Sequence, residues 1–218
     1  MRRDGGERWL TRLPADLNAA YSSAVDGLAA LIDRSLGEGV VANRWSPCTA
    51  DGLEPWAVAR GRLGRRMRAI DPALRGSTIV RSDVLACYAS IGRAAVAASL
   101  PAGDPHAALL GRTLARIHAR GGAGLPVGPP PSGVIANAVL AAADRAVEAT
   151  GARYVRWVDD VLMFADGPRQ ARRAFDAWRV ALGRAGLEVN EAKTAIGVDP
   201  EELPGWAGSA WHASRRVR

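Results

Sequence analysis

The chain has 218 residues, 48% hydrophobic and 23% charged, with 29 cationic against 22 acidic side chains and a formal charge of +7. That balance suits one compact domain, or a domain with a small attached lobe, burying an ordinary core. It excludes a membrane-spanning run of ~20 apolar residues, a secretory signal after MRRDGGERW and a metal cluster built on Cys48 and Cys87 alone.

The first periodic segment runs from Pro14 to Leu36, with Leu17, Tyr21, Ala24, Leu28, Leu31 and Ile32 at three- and four-residue steps and Gly37 as a stop. Val40 to Gly76 reads as irregular, with Pro47, Pro55 and an arginine-dense run from Arg60 to Arg68 near Trp45 and Trp56. Ser77 to Val80 reads as a β segment delivering Asp83 at its end. A helix is expected over Ser90 to Leu100, and another from Asp104 as N-cap with Pro105 at its first position. The stretch Gly121 to Gly133, GGAGLPVGPPPSG, reads as a loop, followed by a helix over Val134 to Ala149. Two short β runs, Tyr154–Trp157 and Val161–Ala165, flank a tight turn holding Asp159 and Asp160. A helix over Arg169 to Ala185 and an extended piece after Gly186 complete the order. It predicts an α+β fold: a small antiparallel sheet with helices packed on one face.

Charge is a weaker guide than it looks. Twenty-eight of the 29 cations are arginine and alanine is abundant, a pairing that GC-rich coding produces without functional pressure. The basic balance therefore favours a polyanionic partner only modestly, and it singles out the sole lysine, Lys193. A reduced, cytoplasmic setting without membrane association is expected from the sparse cysteines.

Three carboxylates carry the chemistry. Sheet pairing can bring the strand end at Asp83 beside the hairpin at Asp159 and Asp160. Crowded carboxylates repel one another and rise in pKa unless a divalent cation neutralises them. Hard oxygen donors suit Mg²⁺, and two such ions activate a hydroxyl and stabilise a leaving pyrophosphate in phosphoryl transfer. Asp144, Asp166 and Asp176 read as surface or capping residues.

The segments SDVLACYASI, GLPVGPPPSGVIAN, YVRWVDDVLMF and LEVNEAKT stand in an order that resembles motifs A to D of the reverse transcriptase palm, especially the group II intron, retron and phage-defence branch. The resemblance covers roughly Ile79 to Ile196. It implies a reverse-transcriptase-like fingers and palm: residues 1–78 a mostly helical fingers-like lobe, 79–198 the palm, and 199–218 a short basic tail. It implies that Asp83 and Asp159 hold two Mg²⁺ ions (Mn²⁺ as substitute), with Asp160 supporting them and the Val84 carbonyl completing one shell. Tyr88, five residues after Asp83, would be the steric gate favouring dNTPs, and Gly128 would let backbone approach the nucleotide beside Val127, which stands where Gln is frequent. Lys193 would neutralise or protonate the pyrophosphate. Arg44 and Arg66, with Arg62 and Arg65, are the cations available for triphosphate or template, and Trp157 replaces the usual motif C tyrosine.

The implied function is RNA-directed DNA polymerase, transferring dNTPs to a 3′-hydroxyl on a template–primer, in phage defence or a retroelement. Template-independent or protein-primed nucleotidyl transfer and a non-catalytic RNA-binding scaffold are the alternatives. No obvious thumb follows Lys193, so a partner chain, a bound RNA or self-association is expected to supply the grip.

Overall fold

The computed structural model describes residues 10–49, 52–70 and 77–198; the basic tail falls outside them. Helix α1, Ala15–Ser35, buries Leu17, Tyr21, Ala24, Leu28 and Ile32 of the predicted stripe and leaves Leu31 exposed. Helix α2, Trp56–Ile70, occupies part of the stretch expected to be irregular. Gly61 and Gly64 and the many arginines obscure it, yet Ala59, Leu63, Met67 and Ile70 lie at helical spacing and are all buried. Burial of that face outweighs the ~1 kcal/mol that each interior glycine costs.

Strand β1, Thr78–Asp83, is followed by the short helices α3, Cys87–Ser90, and α4, Arg93–Ser99. Helix α5, Pro105–His118, starts as its sequence signals: the Asp104 carboxylate accepts from the His106 and Ala107 amides at 2.8 and 3.1 Å. Helix α6, Pro131–Glu148, begins three residues earlier than expected, at a proline suited to the first helical turn. It is buried nearly all round and forms the centre of the molecule. Strands β2, Arg153–Trp157, and β3, Asp160–Ala165, precede helix α7, Pro168–Arg184. A 3₁₀ turn, Glu191–Lys193, and the two-residue strand β4, Ala195–Ile196, follow.

The antiparallel sheet has the order β2-β3-β1-β4. Alternation along the strands splits it into two apolar surfaces. Val80, Tyr154, Val161 and Met163 join α1, α5, α6 and α7 in the main core, with Trp178 of α7 fully buried. Ile79, Val155, Leu162 and Phe164 join Leu63, Met67 and Ile70 of α2 in a second cluster. The sheet is thus covered on both faces, which amends the expectation of helices on one. The missed α2 supplies the second cover. Among the described residues no helix is long and apolar enough to cross a membrane.

Candidate active site

Asp83 ends β1 and Asp160 begins β3, and the register places them directly opposite each other. Cross-strand neighbours of this kind stand about 5 Å apart at Cβ. The turn between β2 and β3 is therefore Val158 and Asp159, with Trp157 paired to Asp160. Asp160 lies in the strand, not in the turn where sequence reading put it. Each of Asp83, Asp159 and Asp160 offers a carboxylate oxygen, and these oxygens lie within 4.8 Å of one another. Asp83 is buried and Asp160 half-buried. Burial first, then the Asp159 charge and the contact with Asp83, push the Asp160 carboxyl up to about 7, against the pull of Lys193.

Val158 has φ +59°, a left-handed conformation that is costly for a β-branched side chain. Glycine is the ordinary residue at the corresponding position of such turns. The Val158 carbonyl accepts a 2.7 Å hydrogen bond from Nη1 of Arg156.

The segment after α7 closes on Asp83 from the other side. Asn190 Nδ2 donates to Asp83 Oδ1 and Lys193 Nζ to Asp83 Oδ2, both at 2.9 Å, while the Asn190 amide donates to the Asp83 carbonyl at 2.7 Å. Ser82 and Thr194 share a 3.0 Å hydroxyl contact. Val84 is buried opposite Val189, and the backbone bonds flanking that bridge belong to Asp83 and Leu85. Asn190 has no role in the motif resemblance; its place three residues before Lys193 was the available signal.

Tyr88 sits in α3, half-buried, its hydroxyl accepting a long 3.4 Å hydrogen bond from Asn43 Nδ2. The glycine–proline loop packs directly on this turn: Leu125 N–H donates to the Tyr88 carbonyl at 2.7 Å. At Gly124, φ +61°, a Cβ would come within 2.3 Å of the Tyr88 and Ala89 carbonyls, so only glycine fits. Ser132 anchors the loop, donating to the Pro126 carbonyl at 2.7 Å and meeting the Tyr21 hydroxyl at 3.0 Å.

The remaining sequence candidates lie further from the carboxylates in role. Val127 pairs with Thr11: Thr11 N–H donates to its carbonyl at 2.7 Å and the Thr11 hydroxyl accepts from its amide at 3.1 Å. The Leu10 side chain lies 3.4 Å from where a Cβ on Gly128 would sit. Arg44 is held by Asp33 at 2.7 Å and by the Asp33 and Gly37 carbonyls, and Arg66 by Glu38 at 3.0 Å. Arg62 pairs with Glu54, and Arg65 is exposed. Asp144, read as a surface or capping residue, is instead buried against Arg156. Trp157, the cross-strand partner of Asp160, packs on Trp56 at the start of α2, centroids 5.3 Å apart, and Trp56 is half exposed.

The donor set fits a hard divalent cation. All three groups are carboxylates, they converge from two chain segments, and their crowding disfavours full ionisation unless positive charge is present. The sequence model for reverse transcriptase (RNA-dependent DNA polymerase) matches residues 79–208, more than half of the chain. The chain belongs to the reverse transcriptase family. Its α+β palm is also similar to solved telomerases. The apo telomerase of Candida tropicalis has a TM-score of 0.52 at 12% identity, over 86% of this chain and 37% of that one. Its form truncated from the C-terminal domain gives 0.46 at 13%, over 84% and 40%, and the Candida albicans telomerase with a telomeric RNA fragment 0.47 at 11%, over 85% and 34%. At such identities the likeness is one of fold, and this reverse transcriptase chain spans well under half of each telomerase. No curated protein sequence matches it.

Proposed function

We propose that this chain is an RNA-directed DNA polymerase that transfers dNTPs to a 3′-hydroxyl on a template–primer. The observation that carries the reading is the convergence of Asp83, Asp159 and Asp160 within 4.8 Å at a strand end and a hairpin in a reverse transcriptase palm. Asp83 and Asp159 are the residues to hold Mg²⁺, or Mn²⁺ in its place, with Asp160 beside them. Bound in a pair, such ions lower the barrier to nucleotidyl transfer by favouring the ionised 3′-hydroxyl and the departing pyrophosphate.

The chain's own groups do the rest. Tyr88 presents its ring as the wall that excludes a ribose 2′-hydroxyl, with Asn43 steadying its hydroxyl. Lys193, half exposed and paired through its Nζ with Asp83, has a flexible stem that can carry its charge and proton to a pyrophosphate oxygen. Arg65 offers an exposed cation on α2 for phosphate contact, whereas Arg44 and Arg66 must first leave their carboxylate partners. A role in phage defence or a retroelement, in the cytoplasm and with a partner chain, RNA or second copy supplying grip, belongs to the same proposal through the motif resemblance.

Primer extension on RNA and DNA templates, run beside the Asp159→Asn/Asp160→Asn variant, tests it. Template-directed dNTP products from wild type and none from the variant are expected. Products whose composition ignores the template would replace this reading with untemplated transfer.

A further inference from the structure

Behind the carboxylates lies a buried charge that the proposed reaction does not use. Arg156, in β2, is fully buried, and its guanidinium meets Asp144 of α6 through three contacts: Nε to Oδ1 at 2.8 Å, Nε to Oδ2 at 3.1 Å and Nη2 to Oδ2 at 2.7 Å. Burial alone would lower the guanidinium's pKa, but the adjoining Asp144 charge outweighs it and holds the group above its ordinary value.

Packing does not ask for such a pair, since apolar side chains of the same volume generally stabilise a core as well or better. What the pair does supply is direction. Nη1 of Arg156 donates to the Val158 carbonyl at 2.7 Å and to Asn137 Oδ1 at 2.8 Å. Asn137, also buried, turns its Nδ2 to the carbonyls of Ala42 and Asn43, each at 3.0 Å. Asn43 in turn donates to Tyr88. Among the described residues three non-glycines have positive φ, and two of them, Val158 at +59° and Asn43 at +54°, sit at the two ends of this network. Each is a strained residue whose carbonyl is gripped by the buried polar cluster.

We propose that Arg156 is a positioning residue. Anchored by Asp144, it holds Val158 in the left-handed conformation that sets Asp159 beside Asp83 and Asp160, and through Asn137 it holds the Ala42–Asn43 turn against Tyr88. Cation placement and sugar selection then share one anchor. The sugar-selection half rests on the function proposed above; the anchoring itself does not.

The test uses the full chain, with hydrogen exchange and Mn²⁺ titration on wild type, Arg156→Lys, Asn137→Ala and Val158→Gly/Arg156→Lys. In Arg156→Lys, exchange is expected to rise about tenfold or more, both around Trp157–Asp160 and around Val41–Arg44, with Mn²⁺ affinity falling by a similar factor. Glycine adopts positive φ without penalty, so the double variant regains Mn²⁺ affinity while the Val41–Arg44 segment stays labile. Asn137→Ala, which leaves the ion pair whole, loosens Val41–Arg44 alone and increases rNTP incorporation; it also supplies the answer if Arg156→Lys does not fold. A folded Arg156→Lys with wild-type exchange at both segments, or an Asn137→Ala with wild-type exchange at Val41–Arg44, overturns the inference. Variants that show these exchange differences beside a wild type that incorporates no nucleotide leave the anchor standing and overturn the proposed reaction instead.

Discussion

Asp160 links the stability of the fold to the chemistry proposed for the site. Its carboxyl is pushed up to about 7 by burial and by Asp159 and Asp83, while an unfolded chain would ionise it near 4. The folded state therefore binds more protons than the unfolded state between those values, and stability falls as pH rises from about 4 to about 7, levelling above. Asp160→Asn should remove that slope and raise the stability of the metal-free protein at pH 8 by on the order of 2 kcal/mol. Urea unfolding at pH 5 and pH 8 checks it; an unchanged slope in the variant contradicts the assignment. Tyr88 gives a second residue-level prediction. Tyr88→Ala should narrow dNTP-over-rNTP discrimination by about tenfold or more, on the order of 1.4 kcal/mol, in single-nucleotide incorporation assays with a wild-type-like melting temperature. Asp83, Asp159 and Asp160 were legible as carboxylates in ordered motifs, and Lys193 as the sole lysine inside one of them. The Arg156–Asp144 pair was not, since a buried ion pair leaves no mark until the fold shows what it faces, and Asn190 was marked only by its place three residues before Lys193.

At the scale of elements, the helices with clean apolar stripes and caps were readable, α5 through Asp104 and Pro105 and α7 through Ala171, Ala174, Trp178 and Leu182. Helix α2 was not, because its polar positions are packed with arginine and its buried face is broken by glycine. Its role is nonetheless specific: Leu63 is fully buried and covers the sheet face from which Asp83 and Asp160 also rise. Leu63→Ala should cost about 2–4 kcal/mol in urea unfolding; a cost below about 0.5 kcal/mol would mean that the second cluster is not a working core. The hairpin is the other instructive case. Its two strands were visible as β runs, but the one-residue question of whether Asp160 belongs to turn or strand depends on register with β1, a partner far away in sequence.

For the whole molecule, the charge of +7 gains meaning only from its distribution. Arg44, Arg62 and Arg66 are tied to Asp33, Glu54 and Glu38, so fewer cations are free for phosphate than composition implies. Binding to a labelled template–primer should weaken with salt, with a log–log slope of about −2 to −4, set by the few phosphates contacted. A slope near zero in fluorescence anisotropy would mean that nucleic acid does not bind through phosphate contacts.

The proposed chemistry requires that two segments distant in sequence, at Asp83 and at Asp159–Asp160, bind a divalent cation together. Calorimetric titration of the metal-free chain with Mg²⁺ near pH 6, repeated in two buffers of different ionisation heat, addresses it directly. Wild type should bind with release of a proton, as Asp160 is mostly protonated there and must ionise, and Asp159→Asn/Asp160→Asn should not bind. A folded wild type that takes up neither Mg²⁺ nor Mn²⁺, or a variant that binds as wild type does, contradicts the account.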